Sequence, residues 1–236
     1  MISIFIDYDN LTPIQKESGI LDVVNKILLR APIELNKSRI TCDVRVYGGW
    51  YEDNEMTQKA QDVAVKIQDE FPEILKLSAG GEKFVQVRIN AELALSMLEE
   101  PSHHLFDTFR RKGKPSNIRF KNCSELDCSD QICLIPQVKK LLKTGRCPKV
   151  GCINSTESIV YRVEQKLVDT MLTCDLIYAP AMGYKNIIIV SGDDDFLPPL
   201  RTLLLRGTSA IRFLPKYSAQ RSGSPNVDAK LIEMEL

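Results

Sequence analysis

Two short apolar runs, far apart in the chain, both end in acids, and no other feature constrains the fold as much. Ile2–Ile6 is β-branched and aromatic and runs into Asp7-Tyr8-Asp9-Asn10, while Asn186–Val190 runs into Ser191-Gly192-Asp193-Asp194-Asp195-Phe196. Short continuous apolar runs of this composition read as strands buried on both faces, as in a parallel sheet under helices. Each then delivers carboxylates at its C-terminal end. Ligand sites of open parallel sheets lie outside those ends, where the strand order reverses.

The intervening pattern agrees with such a sheet. Thr12-Pro13 supplies an N-cap and a first-turn proline for a helix to about Arg30. Ile40–Tyr47 predicts a second strand, closed by Gly48-Gly49, and Asn54–Phe71 has helical spacing in Met56, Ala60, Val63, Ile67 and Phe71. Phe84–Ile89 reads as a third strand and Ala91–Leu98 as a helical stretch; Glu157–Leu176 and Leu197–Leu205 read as helices, and Ala210–Leu214 as the last strand. Strands alternating with helices predict an α/β fold with a mainly parallel central sheet covered on both faces. The rhythm breaks from Glu99 to Asn154, which holds Pro101, Pro115, Pro136 and Pro148 and five of the seven cysteines. The expected division is therefore 1–98, a Cys-rich basic insertion at 99–154, and a second part of the same domain at 155–236.

A chain of 236 residues with 44% hydrophobic residues can build a core. Its 31 basic and 31 acidic residues balance, so net charge identifies no polyanionic partner, but their distribution is uneven. Arg110–Lys149 carries eleven Lys/Arg against Glu125, Asp127 and Asp130, which leaves −8 on the rest of the chain. No apolar run reaches the ~20 residues that span a bilayer. The N-terminus has neither a basic leader nor a small-residue cleavage site. A cytoplasmic protein without membrane contact is expected, and in that compartment seven cysteines read as thiols or metal ligands before disulfides.

Neighbouring strands lie about 4.8 Å apart, so acids after adjacent strands converge. Their repulsion raises some proton affinities and costs stability unless a cation neutralises them. Oxygen donors without histidine suit Mg²⁺ or Mn²⁺. A single Asp after a strand serves as readily in a turn or cap, and Asp9 and Asp194 read either way; clusters at two strand ends favour the metal. Lys166 and Asp169, three apart, make an ion pair of about 0.3 kcal/mol on a helix. Asp169 and Asp175 are separated by about 9 Å along a helix and about 120° around it, which ranks Asp169 above Asp175 as a ligand.

Together, Phe5-Ile6-Asp7-Tyr8-Asp9-Asn10-Leu11, Lys166-Leu167-Val168-Asp169 with Asp175 six residues on, and Val190-Ser191-Gly192-Asp193-Asp194-Asp195-Phe196 resemble the three motifs of NYN domains. These form a branch of the PIN-like nucleases. The resemblance covers residues 1–50 and 157–215, and not the middle. It implies a Rossmann-like PIN/NYN fold and a metal-dependent endoribonuclease. Asp7, Asp169, Asp193 and Asp195 would be the acidic set, Asp175 a further family acid and Asn10 a positioning residue. In that chemistry one or two Mg²⁺ or Mn²⁺ ions activate water for in-line attack, paired ions standing about 4 Å apart. RNA, including tRNA or single-stranded RNA, is the implied partner, and a homo-oligomer is compatible with it. The alternative is a catalytically inactive RNA-binding module. Ser191 suits a carboxylate or phosphate contact, or a simple strand-end turn.

Two rival enzymes fit less well. A phosphatase of the haloacid dehalogenase kind matches Asp7-x-Asp9 but needs Thr or Val where Leu11 stands, and a Toprim nuclease matches Asp193-x-Asp195 but needs a glutamate after the first strand.

In the insertion, Cys123-x4-Cys128-x4-Cys133 and Cys147-x4-Cys152 offer a four-thiolate zinc site from Cys123, Cys128, Cys147 and Cys152, against buried thiols or redox pairing. His103 and His104 are further candidates, while Cys42 and Cys174 read as core residues. Arg110, Arg111, Lys112 and Lys114, extended by Lys139, Lys140, Lys143, Arg146 and Lys149, suit a phosphate backbone, although basic runs are often only solvated faces. Arg88, Trp50 and Tyr51 are companions, the aromatics by stacking on unpaired bases or by packing at the edge of the core.

Overall fold

The computed structural model describes residues 1–33, 38–52, 54–78, 84–98, 108–112, 134–160, 162–165, 167–216 and 231–236; side chains at 109–112, 158 and 162–165 are outside the description. The chain divides into two compact units, Met1–Thr108 with Gln165–Leu236, and Phe109–Glu164. The second unit thus runs beyond the cysteine-bearing stretch at its C-terminal side.

The first unit contains β1 (Ile2–Asp7), β2 (Arg39–Tyr47), β3 (Tyr51–Glu52), β4 (Glu55–Met56), β5 (Glu73–Ser78) and β6 (Phe84–Leu93). After β7 (Phe109–Lys112) and β8 (Arg162–Gln165) of the other segment come β9 (Asn186–Val190), β10 (Ser209–Leu214) and β11 (Ile232–Glu235). Seven of these form one sheet in the order β11-β10-β9-β1-β2-β6-β5. All its pairs are parallel except β5 with β6. Strand β1 lies at the centre, Ile6 in register with Val46 of β2 and Val190 of β9.

The helices are α1 (Pro13–Ser18), α2 (Ile20–Arg30) and α3 (Gln58–Glu70), then α4 (Ile135–Thr144) and α5 (Thr156–Ile159) in the second unit, and α6 (Val168–Tyr178) and α7 (Leu197–Leu205). Side chains alternate between the faces of a strand, which divides the core in two. Ile2, Ile4 and Ile6 pack with Val23 and Ile27 of α2 and with Val63 and Ile67 of α3. Phe5, Ile187 and Ile189 pack with Leu172 and Leu176 of α6 and with Leu200 and Leu203 of α7. Helices therefore cover both faces, as in Rossmann-like folds, and each fully buried Ile or Leu contributes roughly 1.5–3 kcal/mol. The crossovers on either side of β1 use opposite faces, which makes the β1/β9 boundary the switch point of the sheet.

Several elements differ from expectation. The first helix is two, because Gly19 adopts φ 90 between α1 and α2. The segment read as a helix from Asn54 begins with the small β3–β4 hairpin, and the helix proper starts at Gln58, capped by Thr57. The predicted helical stretch at Ala91 is the end of β6, where the two-residue alternation of Val85, Val87 and Ile89 continues. Strands β5 and β11 were not anticipated; both lie at sheet edges, with mostly exposed side chains and no apolar run. The helix expected over Glu157–Leu176 is broken into α5, β8 and α6, and α6 begins only after Leu167, whose φ is 69.

In the second unit β7 pairs with β8. Among its described residues, no apolar side chain is buried. Among all described residues, no helix is long and apolar enough to cross a membrane.

Ile188 is fully buried in β9 beside β1. Ile188→Ala is expected to lower the unfolding free energy by about 3 kcal/mol, measured by urea denaturation; a loss near zero would contradict the packing described.

Candidate active site

Because β1 and β9 are parallel neighbours, Asp7 and the segment Ser191–Asp195 leave the sheet side by side. Asp7 is only 3% exposed. One of its oxygens, Oδ2, accepts from Ser191 Oγ at 2.9 Å and from Asn10 Nδ2 at 2.5 Å. Asn10 Oδ1 in turn accepts from the Gly192 N–H at 3.3 Å. A Cβ on Gly192 would stand 3.3 Å from that same oxygen, so glycine permits the close approach. The turn continues with Asp193 N–H donating to Ser191 Oγ at 3.1 Å and Asp195 N–H to Asp193 Oδ1 at 3.0 Å. Ser191 therefore does both things the sequence allowed it, holding a carboxylate and closing a turn.

Asp169 reaches the cluster from the first turn of α6. Its proton affinity is raised by desolvation and by repulsion from Asp193, Asp195 and Asp9. Asp7 is pushed up to about 6 by burial, with further repulsion from Asp169 and Asp9, against the lowering effect of Ser191 and Asn10. Acids from three distant stretches thus sense one another. Among the described residues, however, no three His, Cys, Asp or Glu side chains are grouped closely enough to hold one ion. One ion shared by these acids requires side-chain rotation.

Three cations stand against the cluster's outer members, Asp9 and Asp194. Lys59 Nζ lies 2.6 Å from Asp9 Oδ1, and also sits over the rings of Tyr8 at 5.7 Å and Trp50 at 5.3 Å. Lys16 lies over Tyr8 at 5.2 Å and donates to Asp9 O at 3.3 Å. On the other side, Arg212 of β10 is fully buried. It donates to Ser191 O at 3.1 Å, Asp193 O at 2.7 Å, Asp194 Oδ1 at 3.1 Å and Glu233 Oε1 at 3.0 Å. The sequence reading missed Lys16, Lys59 and Arg212. Only Arg212 left a signal, a lone charge within the apolar run Ala210–Leu214.

Asp175 departs from its expected place as a ligand. It is fully buried. Its Oδ2 accepts from Tyr47 OH at 2.7 Å and lies 3.7 Å from Arg45 Nη2, while Oδ1 accepts from the Met97 N–H at 2.8 Å. Those donors occupy both oxygens, and the rise along α6 carries Asp175 away from Asp169. Trp50 does not stack on bases from where it stands: it is 1% exposed, its Nε1 donates to Val46 O at 2.9 Å, and its ring lies against Gly48, where a Cβ would be 2.7 Å away. Arg88 is an exposed residue of β6 and Tyr51 a half-buried one of β3.

Lys166, His103, His104, Lys114, Cys123, Cys128 and Cys133 lie outside the described residues, as do the side chains of Arg110, Arg111 and Lys112 on β7. Lys139 and Lys140 lie on α4 of the second unit, the former half-buried and the latter exposed. Cys147 and Cys152 are half-buried free thiols, as is Cys174, and burial pushes the Cys42 thiol far above its ordinary range. No family model, curated protein or solved structure matches the chain significantly.

The raised proton affinity of Asp7 fixes the sign of a pH effect in metal-free protein. The folded state binds this proton more tightly than the unfolded chain, so the stability it contributes is complete below the ordinary value of 3.8 and is lost as pH rises through about 6. Asp7→Asn is expected to be more stable than the parent at pH 8 by up to about 3 kcal/mol, the difference shrinking toward pH 4. Thermal unfolding with chelator at both pH values measures it, and a variant less stable at pH 8 would contradict the account.

Proposed function

We propose that the chain is a divalent-metal-dependent ribonuclease of the NYN branch of PIN-like nucleases, cleaving RNA phosphodiesters internally at the aspartate cluster beside β1 and β9. One observation carries the reading: acids from three separate stretches meet, so that Asp7 and Asp169 have proton affinities raised first by burial and then by repulsion, of Asp7 from Asp169 and of Asp169 from Asp193 and Asp195. Each of these four belongs to one of the three motifs, whereas Asp175 of the second motif stands outside the coupling. A donor set of carboxylate oxygens fits Mg²⁺ or Mn²⁺ in kind, and these four acids would hold it. A bound ion of this type supplies an acidified water and neutralises charge on the phosphate.

The chain's own groups have distinct tasks in this scheme. Ser191 and Asn10 fix the Asp7 carboxylate and leave its other oxygen for the ion. Arg212 holds the carbonyls of Ser191 and Asp193, and so sets where the Asp193 and Asp195 side chains begin. Lys16 and Lys59, beside Asp9, suit phosphates flanking the scissile one, and the basic residues Arg110, Arg111, Lys112, Lys114, Lys139 and Lys140 of the second unit suit a phosphate backbone by their charge.

A second reading, an RNA-binding module that does not cut, is favoured by the pairing of Asp9 with Lys59 and of Asp194 with Arg212, which reduces the cluster's demand for a cation.

Incubating the full-length protein with labelled single-stranded RNA, tRNA and single-stranded DNA, with Mn²⁺ or with chelator, separates the readings. Metal-dependent cleavage of RNA is expected. RNA binding that survives chelation without cleavage would select the second reading, and neither binding nor cleavage would discard both. Asp193→Asn is expected to slow cleavage by more than about 100-fold, since changes outside the ligand shell alone cost about 10- to 100-fold; undiminished cleavage by a folded variant would reject the site. Lys59→Ala is expected to raise KM about 5- to 10-fold with little change in kcat, read from initial rates at low salt.

A further inference from the structure

Toward one edge of the central sheet a face is left open. On the side of α6 and α7 the apolar packing reaches Tyr47 of β2 and Ala94, just past β6, and among the described residues it takes in no side chain of β5 or β6. Val85, Val87 and Ile89 of β6, with Leu75 and Leu77 of β5, belong instead to the core under α2 and α3. Side chains alternate along a strand, so the residues between them stand on the uncovered face.

The register sets these residues in rows. Phe84 of β6 lies opposite Ser78 of β5. The next row is Arg39, Gln86 and Lys76, and the one after it Thr41, Arg88 and Ile74. Rows on one face are two residues apart, about 6.7 Å. Phe84 is 64% exposed, its cross-strand neighbour being a serine too small to cover the ring. Arg39, Lys76 and Arg88 are exposed, and none of them forms an ion pair among the described residues. Acids farther along the same face are already engaged. Asp43 accepts from Asn90 Nδ2 and from Tyr184 OH, each at 2.9 Å, and Glu92 pairs with Arg45. The open rows therefore carry a positive surplus, on a chain whose charges balance as a whole.

We infer that this face of β2, β6 and β5 is a second binding surface, which takes unpaired RNA at a distance from the aspartate cluster. Thr41, the partner of Arg88, stands six residues before Tyr47, the partner of Asp7, which sets the two places about 20 Å apart along the strands. An exposed aromatic ring on a sheet stacks on a base that has left its helix, and free cations beside it take the phosphates. Phe84 fits the first task, and Arg39, Lys76 and Arg88 the second; the Gln86 amide stands between them for the polar edge of a base. Duplex RNA offers Phe84 no base face. A second copy of the chain fits less well, because two-fold pairing would set the cations of the patch against themselves. The inference rests on RNA being the ligand of the proposed function, and it extends that ligand beyond the segment at the acids.

The test measures binding of full-length protein to a labelled single-stranded RNA of about 15 nucleotides, in chelator so that cleavage plays no part. Phe84→Ala is expected to raise Kd at least about 5-fold, and Phe84→Tyr, which keeps a stacking ring, to bind as the parent does. Replacing both Lys76 and Arg88 by Ala should lower the slope of log affinity against log salt by about 1.4, two phosphate contacts at about 0.7 each. Val65→Ala, on an exposed position of α3, should change neither. The altered side chains are exposed, so the variants should melt with the parent. Unchanged affinity in Phe84→Ala, an unchanged salt slope in the double variant, equally tight binding of duplex RNA, no RNA binding by the parent, or self-association that Phe84→Ala abolishes would each overturn the inference. A parent that binds through this face without cutting in Mn²⁺ removes the nuclease reading and leaves the surface standing. Cleavage with binding unaltered in the variants does the reverse.

Discussion

A carboxylate buried at the end of the central strand is the constraint around which the first unit is arranged. Asp7 is carried into the interior by the apolar run of β1, and a buried acid is tolerable only when hydrogen-bonded. Ser191 and Asn10 meet that need, and in doing so they tie the turn after β1 to the turn after β9. The Gly192 N–H closes the network on Asn10. These bonds support the ionised form of Asp7, yet burial and the neighbouring aspartates outweigh them, which is why its proton affinity is high.

The surrounding charges divide into compensated and uncompensated groups. Asp194 pairs with Arg212 and Asp9 with Lys59. Among the described residues, no Lys or Arg forms an ion pair with Asp7, Asp169, Asp193 or Asp195. Arg212 matters for shape as much as for charge. Its planar guanidinium serves two carbonyls and two carboxylates at once, which the point charge of lysine could not reproduce. Acids braced by a buried cation yet, among the described residues, without an ion-pair partner of their own are a place where protonation of a carboxylate lowers the energy.

Much of this was legible before folding was considered. The buried strands β1 and β9 declared themselves through continuous apolar runs and β2 and β10 through runs interrupted by Asp43, Arg45 and Arg212, and the acids after β1 and β9 marked where carboxylates gather. Edge strands β5 and β11 did not, because a strand with one neighbour and solvent on its flanks needs little apolar sequence. The α6 region misled for a related reason: residues of good helical propensity before Val168 enter β8 and a left-handed Leu167, and propensity is a weak guide once tertiary pairing competes. Asp175 likewise matched the motif in sequence while its carboxylate faces Tyr47 and the Met97 N–H.

Residue order alone determined which strands are buried and that acids sit at two strand ends, since these follow from periodicity and from the hydrophobic effect. It could not determine that β9 lies against β1, nor which acids face one another. Strand order, the position of Arg212 and the reach of Lys59 across fifty residues to Asp9 are set by packing between segments remote in the chain. Local pattern carries no record of such contacts, because their energy exists only once the sheet has formed.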